Sequence, residues 1–150
     1  MPHVPGLRSP FSKVGKLVYF GRMIDKIRLH AAGRLPADYV SNLGEAQPTV
    51  FDGRCCRFLR VSYGEIVRRA LAGETDEAIV AWAEQKSART DEEFEVWNAF
   101  VLKRGWRDER SAALRERVIE AGLQDKPIHS MCEFIDYDEG RTPPAQLSGA

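Results

Sequence analysis

The sequence predicts an all-α fold: a single compact bundle of six or seven short helices behind an extended N-terminal arm. Three observations carry this reading. Apolar residues recur at spacings of three and four over most of the 150 residues, which gives each helix one face to bury. Start and stop signals alternate along the second half. Ser62 with Glu65 and Thr90 with Glu93 have the form of capping boxes, and glycines follow the periodic stretches. No segment sustains a two-residue alternation rich in β-branched residues, so no sheet is expected.

Residues 1–14 hold Pro2, Pro5, Gly6 and Pro10 and read as an arm, which Val4, Leu7 and Phe11 can pin to the body. Arg8-Ser9 reads as a turn within it. The stretch from Val18 to Tyr39 organises the chain as one long helix. Leu17, Phe20, Ile24, Ile27 and Ala31 share one face, Gly33 suits a left-handed stop, and Pro36 bars simple continuation. Arg22 and Lys26 lie one turn apart on another side, where they are expected to face solvent or a cleft. Asp25 and Arg28 are spaced to pair along the surface.

Pro36 to Leu43 reads as a short helix that Gly44 ends. Glu45 to Gly53 reads as a loop, with Pro48 and Asp52-Gly53 as turn residues. Arg54 to Leu59 is apolar and basic by turns and fits either a short helix or an extended piece. The Ser62 box starts a helix to Ala72 that buries Ile66, Val67, Ala70 and Leu71. Thr75 or Asp76 caps the next, with Ile79, Trp82 and Ala83 on one face. The Thr90 box starts a helix with the stripe Phe94, Trp97, Val101 and Leu102, ended by Gly105. Asp108 is expected to cap a helix burying Leu114, Val118 and Ala121, and Asp125 and Pro127 to start the last, with Ile128, Met131, Cys132 and Ile135 inward. One domain over residues 1–141 and a flexible tail over 142–150, rich in Pro, Gly and Ser, complete the expectation.

The composition, 43% apolar and 29% charged, is that of a globular protein. The three cysteines are an odd set with two adjacent, a poor disulfide framework that fits reduced thiols. The longest apolar run, residues 79–83, is far short of a membrane span, and no secretory leader pattern is present. A soluble, cytoplasmic protein is the expectation. The formal net charge of zero conceals an asymmetry. Residues 1–60 carry ten Lys or Arg against four Asp or Glu, and residues 61–150 carry twelve against eighteen. The simpler reading is that the two halves pack against each other with complementary charge. The sharper one is a basic patch that meets an anionic partner.

No phosphate-binding glycine loop, serine nucleophile elbow or His-Glu-x-x-His motif occurs. Cys55, Cys56 and Cys132 with His129 supply zinc-type atoms but no Cys-x-x-Cys knuckle, so no metal and no cofactor is expected. Cys132 falls on an apolar face, as a small hydrophobe would. Cys55 and Cys56 stand between Arg54 and Arg57, which would lower a thiol pKa if exposed, so both are candidate reactive thiols. Asn98 shares a partly buried stripe and must find partners, either a loop backbone or a cleft. Lys103 to Asp108 sets cations around Trp106. Stacking of arginine on the ring is one account; an anion site from Arg104, Arg107 and the amides after Asp108 is the other.

Several stretches together carry a resemblance: residues 5–10, Tyr19-Phe20-Gly21-Arg22-Met23, residues 25–30, Asp52-Gly53-Arg54-Cys55-Cys56-Arg57, Trp97 to Phe100 with Lys103 to Asp108, and Phe134 to Asp136 with Asp138 to Arg141. Over about residues 4–141 the chain resembles a family of small bacterial proteins known only as a domain of unknown function. The resemblance implies a bacterial source and a stand-alone domain, and it transfers no catalytic residue.

The functional expectation rests on the residues. It is a non-enzymatic binding or adaptor domain that recognises an anionic ligand or an acidic protein surface. The alternative is an enzyme acting on a small phosphate- or carboxylate-bearing substrate through Cys55, Cys56, Asp52 or Asp25. The candidate binding residues are Arg22, Asp25, Lys26, Arg54, Arg57, Asn98, Arg104, Trp106 and Arg107. A small anion or an acidic protein is the expected partner; nucleic acid is disfavoured and no membrane is expected.

Overall fold

The computed structural model describes residues 3–145. A two-stranded antiparallel hairpin, β1 (Lys13–Val14) and β2 (Leu17–Val18), leads into α1 (Phe20–Ala31). A 3₁₀ helix over Ala37–Asn42 follows. Then come α2 (Phe51–Leu59), α3 (Tyr63–Leu71), α4 (Asp76–Lys86), α5 (Asp91–Lys103), α6 (Ser111–Glu120) and α7 (Met131–Asp138). The all-α class holds.

The hairpin departs from the expectation of no sheet. Its strands are two residues each, too short to display alternation. The turn between them is Gly15-Lys16, with Gly15 at φ +58, the glycine-first order that suits a two-residue hairpin. The first helix is correspondingly shorter than the sequence suggests. Leu17 and Val18 are strand residues, and Tyr19, at φ 72 and ψ −30, stands as the cap before Phe20. The helix stops at Ala31, with Gly33 left-handed as expected.

Phe20, Met23, Ile24 and Ile27 bury the inner face of α1 against Cys55, Cys56 and Leu59 of α2 and Ile66 of α3, in one cluster that continues to Ile79, Phe94, Trp97 and Val101. Each such side chain contributes about 1.5–3 kcal/mol when fully buried. α1 packs mainly on α3 and the hairpin, and α5 on α7. The arm is pinned as its apolar residues imply, with Val4 and Leu7 packed against Leu29 and Tyr39. A third cluster, Leu114 with Met131 and Phe134, joins α6 to α7.

The capping boxes at Ser62–Glu65 and Thr90–Glu93 both form, and Thr75 caps α4. The later starts differ. The Asp108 carboxylate accepts from the Gly105 and Arg110 amides, so α6 begins after Arg110 with no side-chain cap. The last helix begins at Met131, capped by Ser130, because Ser130 accepts the Glu133 amide that Asp125 is too distant to serve. Asp52-Gly53 belong to α2 rather than to a turn, and Arg54 to Leu59 continue that helix. Residues 146–150 of the expected tail lie outside the described residues.

Candidate functional site

The charges of the first half are mostly consumed in holding the fold. The Arg22 guanidinium is 4% exposed and donates two hydrogen bonds to Glu139, at 2.9 and 2.6 Å, and one to the Arg8 carbonyl. Glu139 also accepts from the Tyr39 hydroxyl at 2.7 Å and from Arg141 at 2.6 Å. Burial alone would raise the Glu139 carboxyl, but Arg22, Tyr39 and Arg141 together hold it below its ordinary value. Lys26, 2% exposed, pairs with Asp52 at 2.8 Å and donates to the Tyr19 hydroxyl and the Asn42 carbonyl. The Tyr19 hydroxyl in turn donates to Asp52 at 2.6 Å, and the Gly44 amide donates to the other carboxylate oxygen. Burial pushes the Lys26 ammonium down, and Asp52 only partly offsets it. Burial and the Asp52 charge both push Tyr19 up.

Arg22 and Lys26 are therefore buried and neutralised, contrary to the solvent-facing expectation. Their side of α1 is covered by α7 and by the segment that runs into α2. Asp25 and Arg28 do not pair with each other either. Arg8 takes Asp25 at 2.8 Å and Asp76 at 2.7 Å, and Arg28 takes Asp76 at 3.0 Å. Pairs between the halves, Arg22–Glu139, Arg8–Asp76, Arg28–Asp76 and Lys16–Asp91, are the complementary packing that the charge split allowed.

Beside this buried layer lies a cavity of about 200 Å³. Its floor holds Tyr19, Arg22 and Lys26 of α1 and its approach, with Tyr39 from the 3₁₀ helix. Asn42, Gln47 and Thr49 give it a polar side, and Val50, Phe51, Met131 and Phe134 an apolar one. The remaining wall is Arg104, Arg110 and Arg117 with Ile135, and the carboxylates of Asp138 and Glu139 reach it from the end of α7. Arg110 and Arg117 make no ion pair among the described residues. They are seven apart, Arg110 as the residue before α6 and Arg117 within it. Arg104 pairs with Asp108 at 3.3 Å and Glu109 at 3.2 Å.

Arg54 stands behind this wall. Its guanidinium lies over the Phe100 ring at 5.2 Å, with Arg104 over the same ring at 5.4 Å, and its buried Nε has no partner. Burial lowers the Arg54 pKa, and Arg104, Arg57 and Arg110 lower it further. Burial and Arg110 likewise lower Arg117. Four arginines are thus close enough to repel one another.

The other sequence candidates fall elsewhere. Arg57 is exposed and donates to the Pro48 carbonyl, so it does not join Arg22 and Lys26. Asn98 accepts from the Val18 amide at 3.2 Å and donates to the Lys16 carbonyl at 2.7 Å, which ties α5 to the hairpin rather than to a cleft. Arg104 and Arg107 do not share a site: Arg107 stacks on Trp106 at 5.3 Å over a different depression. The amides expected to bind an anion after Asp108 are taken in part by Asp108 itself. Cys55 and Cys56 are fully buried; burial lifts the Cys55 thiol far above its ordinary value and the Cys56 thiol to about 12, the reverse of a reactive thiol. The Cys132 thiol donates to the Val101 carbonyl. Among the described residues no group of three or more His, Cys, Asp or Glu is arranged to hold a metal ion.

The residues that sequence reasoning missed are Tyr19, Tyr39, Arg110, Arg117 and Glu139. The seven-residue spacing of Arg110 and Arg117 was the available signal, and the others meet only through tertiary packing. No helix among the described residues is long and apolar enough to cross a membrane. A search of the curated proteins returns no match at the threshold applied. The family model of a domain of unknown function, DUF5069, matches residues 4–141, and the chain belongs to that family.

Proposed function

We propose that this chain is a binding domain for a small anionic ligand with an apolar body, held in the cavity between α1, the 3₁₀ helix, the start of α2, α6 and α7. The observation that carries the reading is the wall of Arg104, Arg110 and Arg117: three arginines line the cavity against two carboxylates, Asp138 and Glu139, and Glu139 is already held by Arg22 and Arg141, while Arg110 and Arg117 make no ion pair among the described residues. Burial and neighbouring arginines lower Arg54 and Arg117, so both gain from an arriving anion, and arginine matches carboxylate and phosphate oxygens in pairs. Val50, Phe51 and Phe134 offer the rest of the ligand an apolar surface. The cavity size suits a metabolite rather than a polymer. Three free cysteines fit a reducing compartment, so we place the protein in the cytoplasm.

The test is thermal unfolding against inorganic phosphate and a panel of carboxylate- and phosphate-bearing metabolites. A ligand at a hundredfold its dissociation constant stabilises by about 2.7 kcal/mol. Arg110→Ala with Arg117→Ala abolishes that gain, and raised salt weakens it. A panel that moves neither protein defeats the proposal.

One observation favours a second reading, an enzyme on the same class of ligand. Tyr19 holds a sparsely populated backbone conformation on the cavity floor, with its hydroxyl between Asp52 and Lys26. Under that reading Tyr19 exchanges a proton with the ligand. Tyr19→Phe then removes turnover of a ligand it still binds, whereas a pure binding domain shows no turnover to lose.

A further inference from the structure

α6 separates two surfaces. Arg110 and Arg117 face the anion cavity, while Leu114, Val118 and Ile119 line a second depression of about 550 Å³. Trp106 and Ile128 extend its apolar floor. Trp106 is 52% exposed and Ile119 54%, so two large apolar side chains meet water in one groove. The turn that carries Trp106 has left-handed residues on both sides, Gly105 at φ +99 and Arg107 at φ +50. A Cβ on Gly105 would stand 3.0 Å from Leu114 Cδ2 and 3.3 Å from Met131 Cγ, so glycine is what lets this turn sit tight on the α6–α7 contact. The backbone thus holds Trp106 outward at some conformational cost.

Around this floor stand Arg107, Arg115 and Lys126, and among the described residues no carboxylate lines the groove. None of the three makes an ion pair among the described residues; Arg107 lies over the Trp106 ring at 5.3 Å and Lys126 over Tyr137 at 5.9 Å. From this charge complementarity we infer that the groove docks a short acidic segment of another protein, its apolar anchor on Trp106 and Ile119 and its carboxylates on Arg107, Arg115 and Lys126. Aromatic and arginine side chains in a pocket are what such contacts draw on. A second copy of the chain is the weaker occupant. Its own matching segment, Glu92 and Glu95 around the 66% exposed Val96, lies on α5, and a groove-to-α5 contact would be heterologous and would propagate rather than close.

The experiment pans displayed random peptides on the full chain and on a variant carrying Arg107→Glu, Arg115→Glu and Lys126→Glu. All three positions are exposed and make no ion pair among the described residues, and the ring contacts of Arg107 and Lys126 lie at the surface, so the variant should unfold close to the wild-type temperature. The expected result is enrichment, on wild type alone, of peptides with Asp or Glu beside a large apolar residue. A synthetic copy then shifts tryptophan fluorescence through Trp106, an effect lost in Trp106→Phe. It binds the triple variant at least about tenfold more weakly and weakens with salt. No enrichment, enrichment without acids, or equal enrichment on both proteins overturns the inference. So does concentration-dependent association of wild type that the triple variant lacks, which would place a second copy in the groove. Binding of an oligonucleotide or of phosphatidylserine vesicles, lost in the triple variant while no peptide is enriched, overturns it as well. None of these readouts depends on the anion cavity, which Arg110→Ala with Arg117→Ala tests separately.

Discussion

Removing Glu139 is the sharpest test of how the fold is held. Glu139→Leu leaves the Arg22 guanidinium, 4% exposed, without its two carboxylate bonds, and leaves the Tyr39 hydroxyl without its acceptor. Taking one partner from a buried ion pair costs about 3–5 kcal/mol, because the survivor is an uncompensated charge. For a chain of this size each kcal/mol moves Tm by about 2–4 °C, so a fall of roughly 6–20 °C is expected. The double variant Arg22→Met with Glu139→Leu removes both charges and fills the same space with apolar atoms. It still leaves the Tyr39 hydroxyl without its acceptor, at about 1–3 kcal/mol for an unsatisfied group, while Arg141 keeps Asp136 and the Leu7 carbonyl, so it should be milder than the single change. Urea unfolding followed by tryptophan fluorescence measures all three proteins. A double variant as unstable as Glu139→Leu would refute the account, since it would show that shape and not charge pairing sets the cost. The pH profile supplies a second check. The Glu139 pKa is depressed in the folded state, so its contribution is present above the unfolded value of about 4.3 and is lost as pH falls through the folded value. Wild type should therefore lose stability on acidification more steeply than the double variant does.

Other outcomes follow from the same structure. Trp97, 6% exposed and stacked on Phe58 at 5.1 Å, anchors the core, so Trp97→Ala should cost about 3–5 kcal/mol; a loss under about 1 kcal/mol would contradict its placement. Cys56, raised to about 12 when folded against about 8.5 unfolded, contributes stability that is intact below pH 8.5 and lost as pH climbs toward 12. Cys56→Ala should flatten the alkaline limb by roughly 1.4 kcal/mol per pH unit, and an unchanged slope would count against the buried thiol. Arg110→Ala relieves repulsion with Arg54 and Arg117, so the ligand-free protein should be unchanged or up to about 1 kcal/mol more stable; a clear loss would mean that Arg110 has a structural partner.

What was legible in the sequence was local. Ser62 with Glu65 and Thr90 with Glu93 satisfy backbone donors within one turn, so their spacing alone announced two helix starts. Asp108 and Asp125 carried the same residue type without the same outcome, because a carboxylate caps whichever amide the turn presents, and at Asp108 these are Gly105 and Arg110. The hairpin at Lys13–Val18 was hidden by its brevity. For the cavity, Arg22, Lys26 and Arg104 were found as cations, and all three line it. Arg110 and Arg117 were missed because the apolar stripe of Leu114 and Val118 dominated the reading of α6. No local pattern could say that Glu139 lies against Arg22, 117 residues away.

The distinction that matters is between a neutral chain and a neutral neighbourhood. Equal numbers of acids and bases predict nothing about where each charge finds its partner. Here the buried carboxylates Asp25, Asp52 and Glu139 and the half-buried Asp76 go to cations of the first half, while the buried Asp136 takes Ser9 and Arg141 and Glu133 accepts from the His129 amide. Acids such as Glu77, Glu84, Glu92 and Glu95 stay exposed, and the carboxylates that do line the cavity are Glu139, which Arg22 and Arg141 hold, and Asp138. Arg110, Arg117 and Arg54 make no ion pair among the described residues, and Arg110 acts on both of the others. Mutual repulsion in a partly dry wall lowers stability, so selection for stability alone would replace them with apolar or neutral residues. Their convergence on a cavity with an apolar side is therefore better explained by a ligand that supplies the missing charge than by the needs of the fold. The same physics that hides the site from net charge makes it visible once each cation is traced to its partner.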